Sequence, residues 1–373
     1  MGKRKETSDS IHVLMCCSDL SRVKGGMVTV VKNLLSFRGW KKSSITYIPT
    51  HIEHNKVVKA AYFAGAYARI LAKLLFGKVD LVYLHVSERG SVYRKAMLLK
   101  LAKAFGKPVV LHHHGADFDP FFRGLPEKDR QYVIEFLKAA DTNVVLSERI
   151  RQEFLERAPE AHYTVLHNAV PLPEENRYVP DNHLIVTLGR LGERKGTYDL
   201  LKALRDLDSE LPKEIQVCLC GDGDVEKAQS VITEYGLQHR IAHVGWAAGE
   251  QKNKILEKAL CHVLPSYREG LPMAILETMS LGIPNITTRI ASIPEVIDSG
   301  VHGILIEPGD IEALKDALRK VCCDREFRQQ LSREAYRQIR ENFSVNAAGQ
   351  KLEEIYEMVL EESTMTLNWY SLM

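Results

Sequence analysis

Glu269 and Glu277 bracket the run Glu269-Gly270-Leu271-Pro272-Met273-Ala274-Ile275-Leu276-Glu277. The apolar residues 261–264 predict a buried strand that stops at Pro265. Glu269 then falls in the loop at a strand's carboxyl end, where open α/β sheets bind ligands. Ala274, Ile275, Met279 and Leu281 give the next segment a helical apolar face, and Pro272 suits a first helical turn. A helix start offers unpaired backbone N–H groups and partial positive charge to hydroxyls and anions. Glu277, more than a turn further in, is a second acceptor for another part of the same ligand. Two glutamates at this spacing, met alone, are solvated helix charges; the motifs around them point instead to a ligand.

Arg190 and Lys195 lie in a loop punctuated by Gly189, Gly192 and Gly196, directly after the apolar run 183–188. Glycine lets backbone approach a pyrophosphate closely, and two cations there can stabilise the charge a diphosphate gains as it leaves. The bland alternative is a pair of solvated bases in a turn. A helical run, residues 197–207, starts at once after Gly196 and favours phosphate. Gly25 and Gly26 also follow a strand and precede a helical run, although a glycine pair is often only a turn. His112-His113-His114 ends the strand begun at 109, with His112 and His114 on one face and His113 on the other. His-x-His spacing suits a metal, yet no third ligand lies nearby in sequence, so no metal is expected. His85, at the end of another strand, is a lesser candidate. Asp117, from its own sequence context, is an N-cap or a loop residue.

The ordered set of motifs resembles the retaining glycosyltransferases of family 4. Gly189-Arg190-Leu191-Gly192-Glu193-Arg194-Lys195-Gly196 resembles that family's phosphate loop, and Gly221-Asp222-Gly223 its second strand-end turn. Glu269 to Glu277 resembles its paired-glutamate motif, and Gly282-Ile283-Pro284 with Ile293-Pro294-Glu295 its pocket-closing segment. The match is close over the C-terminal half and looser before it. The resemblance implies an α/β GT-B fold, two Rossmann-like domains facing a central cleft, with a C-terminal helix crossing back to the first. It implies that Glu277 takes the nucleotide ribose and that Glu269 positions the donor sugar rather than attacking it. Gly25, Gly26, Gly221 and the backbone of Gly270, Leu271 and Met273 would border the donor, with Pro272 giving no amide hydrogen. His114 would border the donor sugar and Asp117 the acceptor. The catalytic set would be Glu269, His114, Arg190 and Lys195, with no cofactor beyond the nucleotide-sugar donor.

Strand-like and helical stretches alternate throughout, which argues for parallel sheets wrapped by helices. Residues 1–170 read as an acceptor-binding domain, 171–182 (Pro171, Pro173, Pro180) as a linker, 183–344 as the nucleotide-sugar domain, and 345–373 as crossover helix and tail. The length of 373 residues suits two such domains. No leader pattern opens the chain, and no apolar run is long enough to span a bilayer. Seven cysteines without CxxC pairs read as reduced thiols of a cytoplasmic protein.

The net charge of +2 hides an asymmetry. Residues 1–140 hold 24 Lys and Arg against 11 Asp and Glu, an excess of +13, and the remainder holds 26 against 37, or −11. No nucleic-acid motif accompanies the basic half, so nucleic acid is set aside. An anionic membrane surface or a diphosphate-bearing, lipid-linked saccharide acceptor fits better. Residues 57–76 form an apolar helix whose only charges are Lys59, Arg69 and Lys73. Burial is the ordinary reading of such a helix, and contact with an anionic bilayer is the other.

The expected activity is sugar transfer from a nucleotide diphosphate-sugar, a UDP-sugar above all, in cell-surface polysaccharide assembly on the inner face of the membrane. A nucleotide-sugar 2-epimerase of the same fold and a non-catalytic glycan- or lipid-binding protein are the rivals. An NAD-dependent oxidoreductase is disfavoured because residues 11–17 are not followed by the glycine fingerprint. Asn285, Ala291-Ser292 and His167-Asn168-Ala169 depart from the family pattern, and the first two are expected beside the donor.

Overall fold

A computed structural model of the chain describes residues 10–23, 25–115 and 118–371. Its contacts divide it into two units: residues up to Ala169 together with those from Val345 onward, and Val170–Ser344. The first holds β1 (Ile11–Ser18), β2 (Ser43–His51), β3 (Leu81–Val86), β4 (Val109–His113), β5 (Thr142–Val145) and β6 (Tyr163–Val165). The second holds β7 (Leu184–Leu188), β8 (Gln216–Cys220), β9 (Ile241–Gly245), β10 (Ala259–Leu264), β11 (Asn285–Thr288) and β12 (Ile304–Ile306). Helices of the first unit are α1 (Gly26–Ser36), α2 (Lys56–Phe76), α3 (Gly90–Ala104), α4 (Phe118–Arg123), α5 (Glu127–Lys138) and α6 (Glu148–Leu155). Those of the second are α7 (Thr197–Leu207), α8 (Val225–Glu234), α9 (Gly249–Glu257), α10 (Met273–Ser280), α11 (Ile311–Cys323) and α12 (Arg325–Gln338). The last helix, α13 (Val345–Ser371), belongs to the first unit.

Each unit is a parallel six-stranded sheet, in order β2-β1-β3-β4-β5-β6 and β12-β11-β10-β7-β8-β9. Central strands such as β3, β4, β7 and β10 are buried along their whole length, whereas the edge strands β2 and β9 are only partly so. That is why the central strands read as continuous apolar runs. β6 was not legible: three half-buried residues at a sheet edge carry too little periodicity.

Strand order reverses at β1/β3 in the first sheet and at β7/β10 in the second. Ligands of open α/β sheets bind outside the carboxyl ends of strands at such reversals. The loop holding Gly25 and the end of β3 carrying His85 border the first reversal, and the loops holding Lys195 and Glu269 the second.

Residues 171–182 lie along the second unit: Tyr336 donates to the Pro173 carbonyl at 2.6 Å, Arg328 to Pro180 at 2.7 Å, and Tyr178 to Leu260 at 2.9 Å. Proline-rich backbone runs extended with carbonyls unpaired; Tyr336 and Arg328 pair two of them, and Tyr178 ties the segment to Leu260 in return. Helix α2 buries only Ala66, Ile70 and Leu74. Ala60, Ala61, Ala64, Ala68 and Ala72 are exposed along it, as are Val57, Leu75 and Phe76 toward its ends. Asn55 caps it by accepting the Val58 amide at 3.0 Å.

Candidate donor and acceptor sites

In the second unit three turns pack backbone on backbone at the carboxyl ends of β7, β8 and β10. A Cβ on Gly221 would lie 1.7 Å from the Gly189 carbonyl oxygen, and one on Gly196 would lie 2.1 Å from the Pro265 oxygen. Gly196 also takes φ +68°, which L side chains rarely adopt. These glycines therefore bring the 189–196 loop against the loop after β10. Ladder bonds fix the arrangement: Gly189 N–H donates to Cys220 at 3.0 Å, Leu191 to Asp222 at 2.6 Å, and Tyr267 to Arg194 at 2.9 Å.

The result is a pairing the sequence does not announce. The Lys195 ammonium donates to Glu269 Oε1 at 2.5 Å, with the two side chains only 15% and 7% exposed. Arg190 stays at the surface, and no acid pairs with it among the described residues. Glu277 sits in the second turn of α10 and is held by the Lys252 ammonium from α9. No side chain caps α10 at Pro272, so its first amides face outward from the helix start. Gly270 is half-buried, and its carbonyl accepts from the Ser292 amide at 3.4 Å. Leu271 and Pro272 are buried and Met273 half-buried, so of these residues the backbone rather than the side chains of 271 and 272 can meet a ligand.

Asn285 does not border this site. It is wholly buried, where its Oδ1 is 2.6 Å from His262 Nδ1 and accepts from the Thr278 hydroxyl at 3.0 Å, while its amide donates to Ile283 at 2.9 Å. Burial, with Lys195 nearby, lowers the His262 pKa to about 4 despite the bond to Asn285. An amide replaces a small apolar residue because a buried histidine beside it needs a partner. Ala291 stands where the family favours glycine and takes φ 49°, a left-handed conformation that costs alanine about 1 kcal/mol.

In the first unit, Gly25 (φ 137°) precedes α1 without a side-chain cap, and nothing lies within 4 Å of a Cβ built on Gly25 or Gly26. Asp19 closes the adjoining turn by accepting from Ser21 and from the Tyr62 hydroxyl, which with the Arg22 amide hold its carboxyl down at about 2. Asp117 lies outside the described residues.

Parallel register places His85 opposite His112, and alternation places His112 and His114 on one face, their ring centroids 4.1 Å apart. His85 Nδ1 is 2.7 Å from His114 Nε2, and the Tyr83 hydroxyl is 2.8 Å from His112 Nδ1. His113 turns to the other face, onto Asn143 at 3.0 Å and the ring of Phe154. His114 is thus less available than its position implies: His85 occupies one ring nitrogen, and the other is shielded without a protein partner. The third imidazole that the sequence lacked is His85, brought in by strand pairing.

Sequence reasoning missed Lys252 and the His85 pairing. Nothing local to Lys252 marks it, since its partner is 25 positions away. His85 was within reach, because two strand ends carrying histidine on adjacent parallel strands must meet.

Comparison with known proteins supplies the remaining evidence. The family described as Glycosyltransferase Family 4 matches residues 20–173, and that described as Glycosyl transferases group 1 matches 172–338. Lipopolysaccharide 1,6-galactosyltransferase of Escherichia coli is 31% identical over 206 residues, 52% of this chain and 55% of that protein. The chain spans about half the length of the curated relatives it matches. Sucrose-phosphate synthase of Thermosynechococcus elongatus superposes with TM-score 0.74 at 17% identity over 94% of this chain and 100% of that one. Anabaena HepE, solved in complex with UDP-glucose, superposes with TM-score 0.70 at 16% identity over 93% and 100%. These likenesses give the two-domain GT-B fold.

Proposed function

Because this chain belongs to family 4 of the glycosyltransferases, we propose that it moves a sugar from a nucleotide diphosphate-sugar to an acceptor hydroxyl with retention at the anomeric carbon. The observation that carries this reading is the shielded Lys195–Glu269 pair at the β7/β10 reversal, beside the uncapped start of α10. A diphosphate is the ligand that such a cation and such a helix start favour. Arg190 adds a second cation from the surface side. Glu269 is then a sugar-hydroxyl acceptor already neutralised by Lys195, and Glu277 takes the ribose hydroxyls in place of Lys252 or alongside it.

The UDP-glucose bound by HepE makes a UDP-sugar the first donor class to test. Attack comes from the face the diphosphate leaves, and the departing phosphate oxygen takes the acceptor proton. The donor occupies the second unit. By the family resemblance, Gly25, Gly26 and His114 would serve the donor, and Asp117 the acceptor. The acceptor is a lipid-linked saccharide of cell-surface polysaccharide assembly, as the lipopolysaccharide enzyme suggests, and catalysis proceeds without a metal. The basic charge of residues 1–140 supports a peripheral position on the inner face of the membrane. Among the described residues no helix is long and apolar enough to cross a membrane.

The test is a donor panel. Full-length protein is screened with nucleotide sugars for thermal stabilisation, which rises with ligand by mass action, and the stabilising donors are incubated with lipid-linked saccharide. A radiolabelled product with the donor's anomeric configuration is expected. Release of an isomerised sugar without transfer, or no stabilisation by any nucleotide sugar, would overturn the reading.

A further inference from the structure

We propose that His85, His112 and His114 form a binding site in the first unit for a borderline divalent ion of the zinc class. The site is built by strand geometry. His112 and His114 stand on one face of the end of β4, and register sets His85 of β3 beside His112. One ring nitrogen from each histidine lies within 4.8 Å of the others. Tetrahedral ligands at about 2.1 Å from zinc stand closer together than that, so small ring rotations close the set.

Two observations point to a ligand here and not merely to packed rings. His85 Nε2, His112 Nε2 and His114 Nδ1 are each shielded from solvent and have no hydrogen-bond partner in the protein. Buried polar atoms are nearly always satisfied, and three orphans on three touching rings call for a shared partner. The second observation is the support behind His112. Its Nδ1 is 2.8 Å from the hydroxyl of buried Tyr83. With Nδ1–H donating to that oxygen, Nε2 is left bare, the arrangement that orients a metal-bound histidine.

The donor set decides which ion. Three imidazoles suit zinc, copper or nickel, whereas magnesium, calcium and manganese prefer carboxylate and carbonyl oxygen. The three-ring group contains no carboxylate. Three protein ligands leave a fourth position for water or an anion. The ion would take His114 through Nδ1, the nitrogen left without a partner, so the ion and a ligand contacting that nitrogen exclude one another.

The inference stands apart from the proposed activity and is read by binding alone. Chelator-treated, full-length protein is titrated calorimetrically with zinc chloride and, in parallel, with magnesium chloride. One equivalent of zinc with micromolar or tighter affinity and no magnesium binding are expected, with the zinc affinity falling at least 10-fold in His85→Ala and in His112→Ala, as loss of a ligand or its support does. Circular dichroism checks that both variants fold. X-ray absorption of the zinc-loaded wild-type protein guards against variants that do not, and a first shell with three imidazole nitrogens and no sulfur is expected. Absence of stoichiometric zinc binding, a sulfur-containing shell, or undiminished affinity in folded variants would overturn the site.

Discussion

Lys195 and Glu269, 74 positions apart in the chain, are each other's partner: Nζ donates to Oε1 at 2.5 Å, with both side chains largely shielded from solvent. The site thus carries its own counter-charge before any ligand arrives. A diphosphate bound as proposed would compete with Glu269 for Lys195, while Arg190 would meet it without such competition.

This asymmetry separates the two cations experimentally. Arg190→Ala is expected to lower turnover about 10²-fold, as removal of a leaving-group stabiliser does, and to leave the melting temperature within a degree or two. Lys195→Ala is expected to lower turnover as much and also to cost about 3 kcal/mol of stability, because it strands a buried carboxylate. Adding Glu269→Gln to Lys195→Ala restores much of that stability and none of the turnover. Near-normal turnover at saturating donor in both single variants would remove the loop from the mechanism.

Glu277 is expected to matter for the nucleotide rather than the sugar. Hydrogen bonds to a charged acceptor contribute about 1.5–3 kcal/mol, so Glu277→Ala should weaken bare UDP by at least 10-fold in calorimetry. Lys252→Ala leaves the carboxylate in place and should change that affinity only several-fold. Unchanged UDP affinity in Glu277→Ala contradicts a ribose role.

What could be read from the sequence followed from local pattern. The buried strands were legible because central strands of a parallel sheet are apolar on both faces, and the loops because Gly189, Gly192 and Gly196 punctuate them. Positions whose meaning depends on a distant neighbour were not. Lys252 acquires a role only from Glu277, and His85 only from the register of β3 on β4. Asn285 looked like a donor-side departure, but its partner is His262 beneath the surface. Helix α2 looked buried because its composition is apolar, yet alanine covers little area and leaves an open face.

His262 makes stability depend on pH. Its folded pKa of about 4 lies below the unfolded value of about 6.5, so the unfolded chain binds the extra proton between those limits. The stabilisation is complete above pH 6.5 and is lost as pH falls toward 4, at about 1.4 kcal/mol per pH unit. Urea unfolding at pH 7 and pH 5.5 should show a smaller acid-induced loss in His262→Gln than in the wild type. Equal losses would mean that His262 titrates normally.

Transfer itself is expected to survive removal of metal, even though three histidines converge in the first unit. A chelator should leave turnover unchanged, magnesium should not raise it, and zinc should lower it by taking His114. Activity abolished by chelator and restored by a divalent ion would make the cluster catalytic.

The membrane is approached, on this reading, by α2. Its 21 residues extend about 30 Å, with Val57 77% and Phe76 87% exposed at opposite ends and Leu75 beside the latter. Alanines occupy most of the open face between them, and the helix's charges, Lys56, Lys59, Arg69 and Lys73, are all basic. A helix with such a face lies along a bilayer surface rather than across it. Each basic residue near an anionic surface contributes about 1 kcal/mol, weakened as salt shortens the Debye length. The protein should therefore co-sediment with vesicles containing anionic lipid, less so at high salt, and not with neutral vesicles. Leu75→Ser with Phe76→Ser should weaken that binding severalfold while leaving UDP affinity untouched, since the residues proposed to hold the nucleotide, Lys195, Glu269 and Glu277, belong to the other unit. Equal binding to neutral and anionic vesicles, or none to either, would show that the +13 excess of residues 1–140 serves a soluble acceptor carrying its own negative charge.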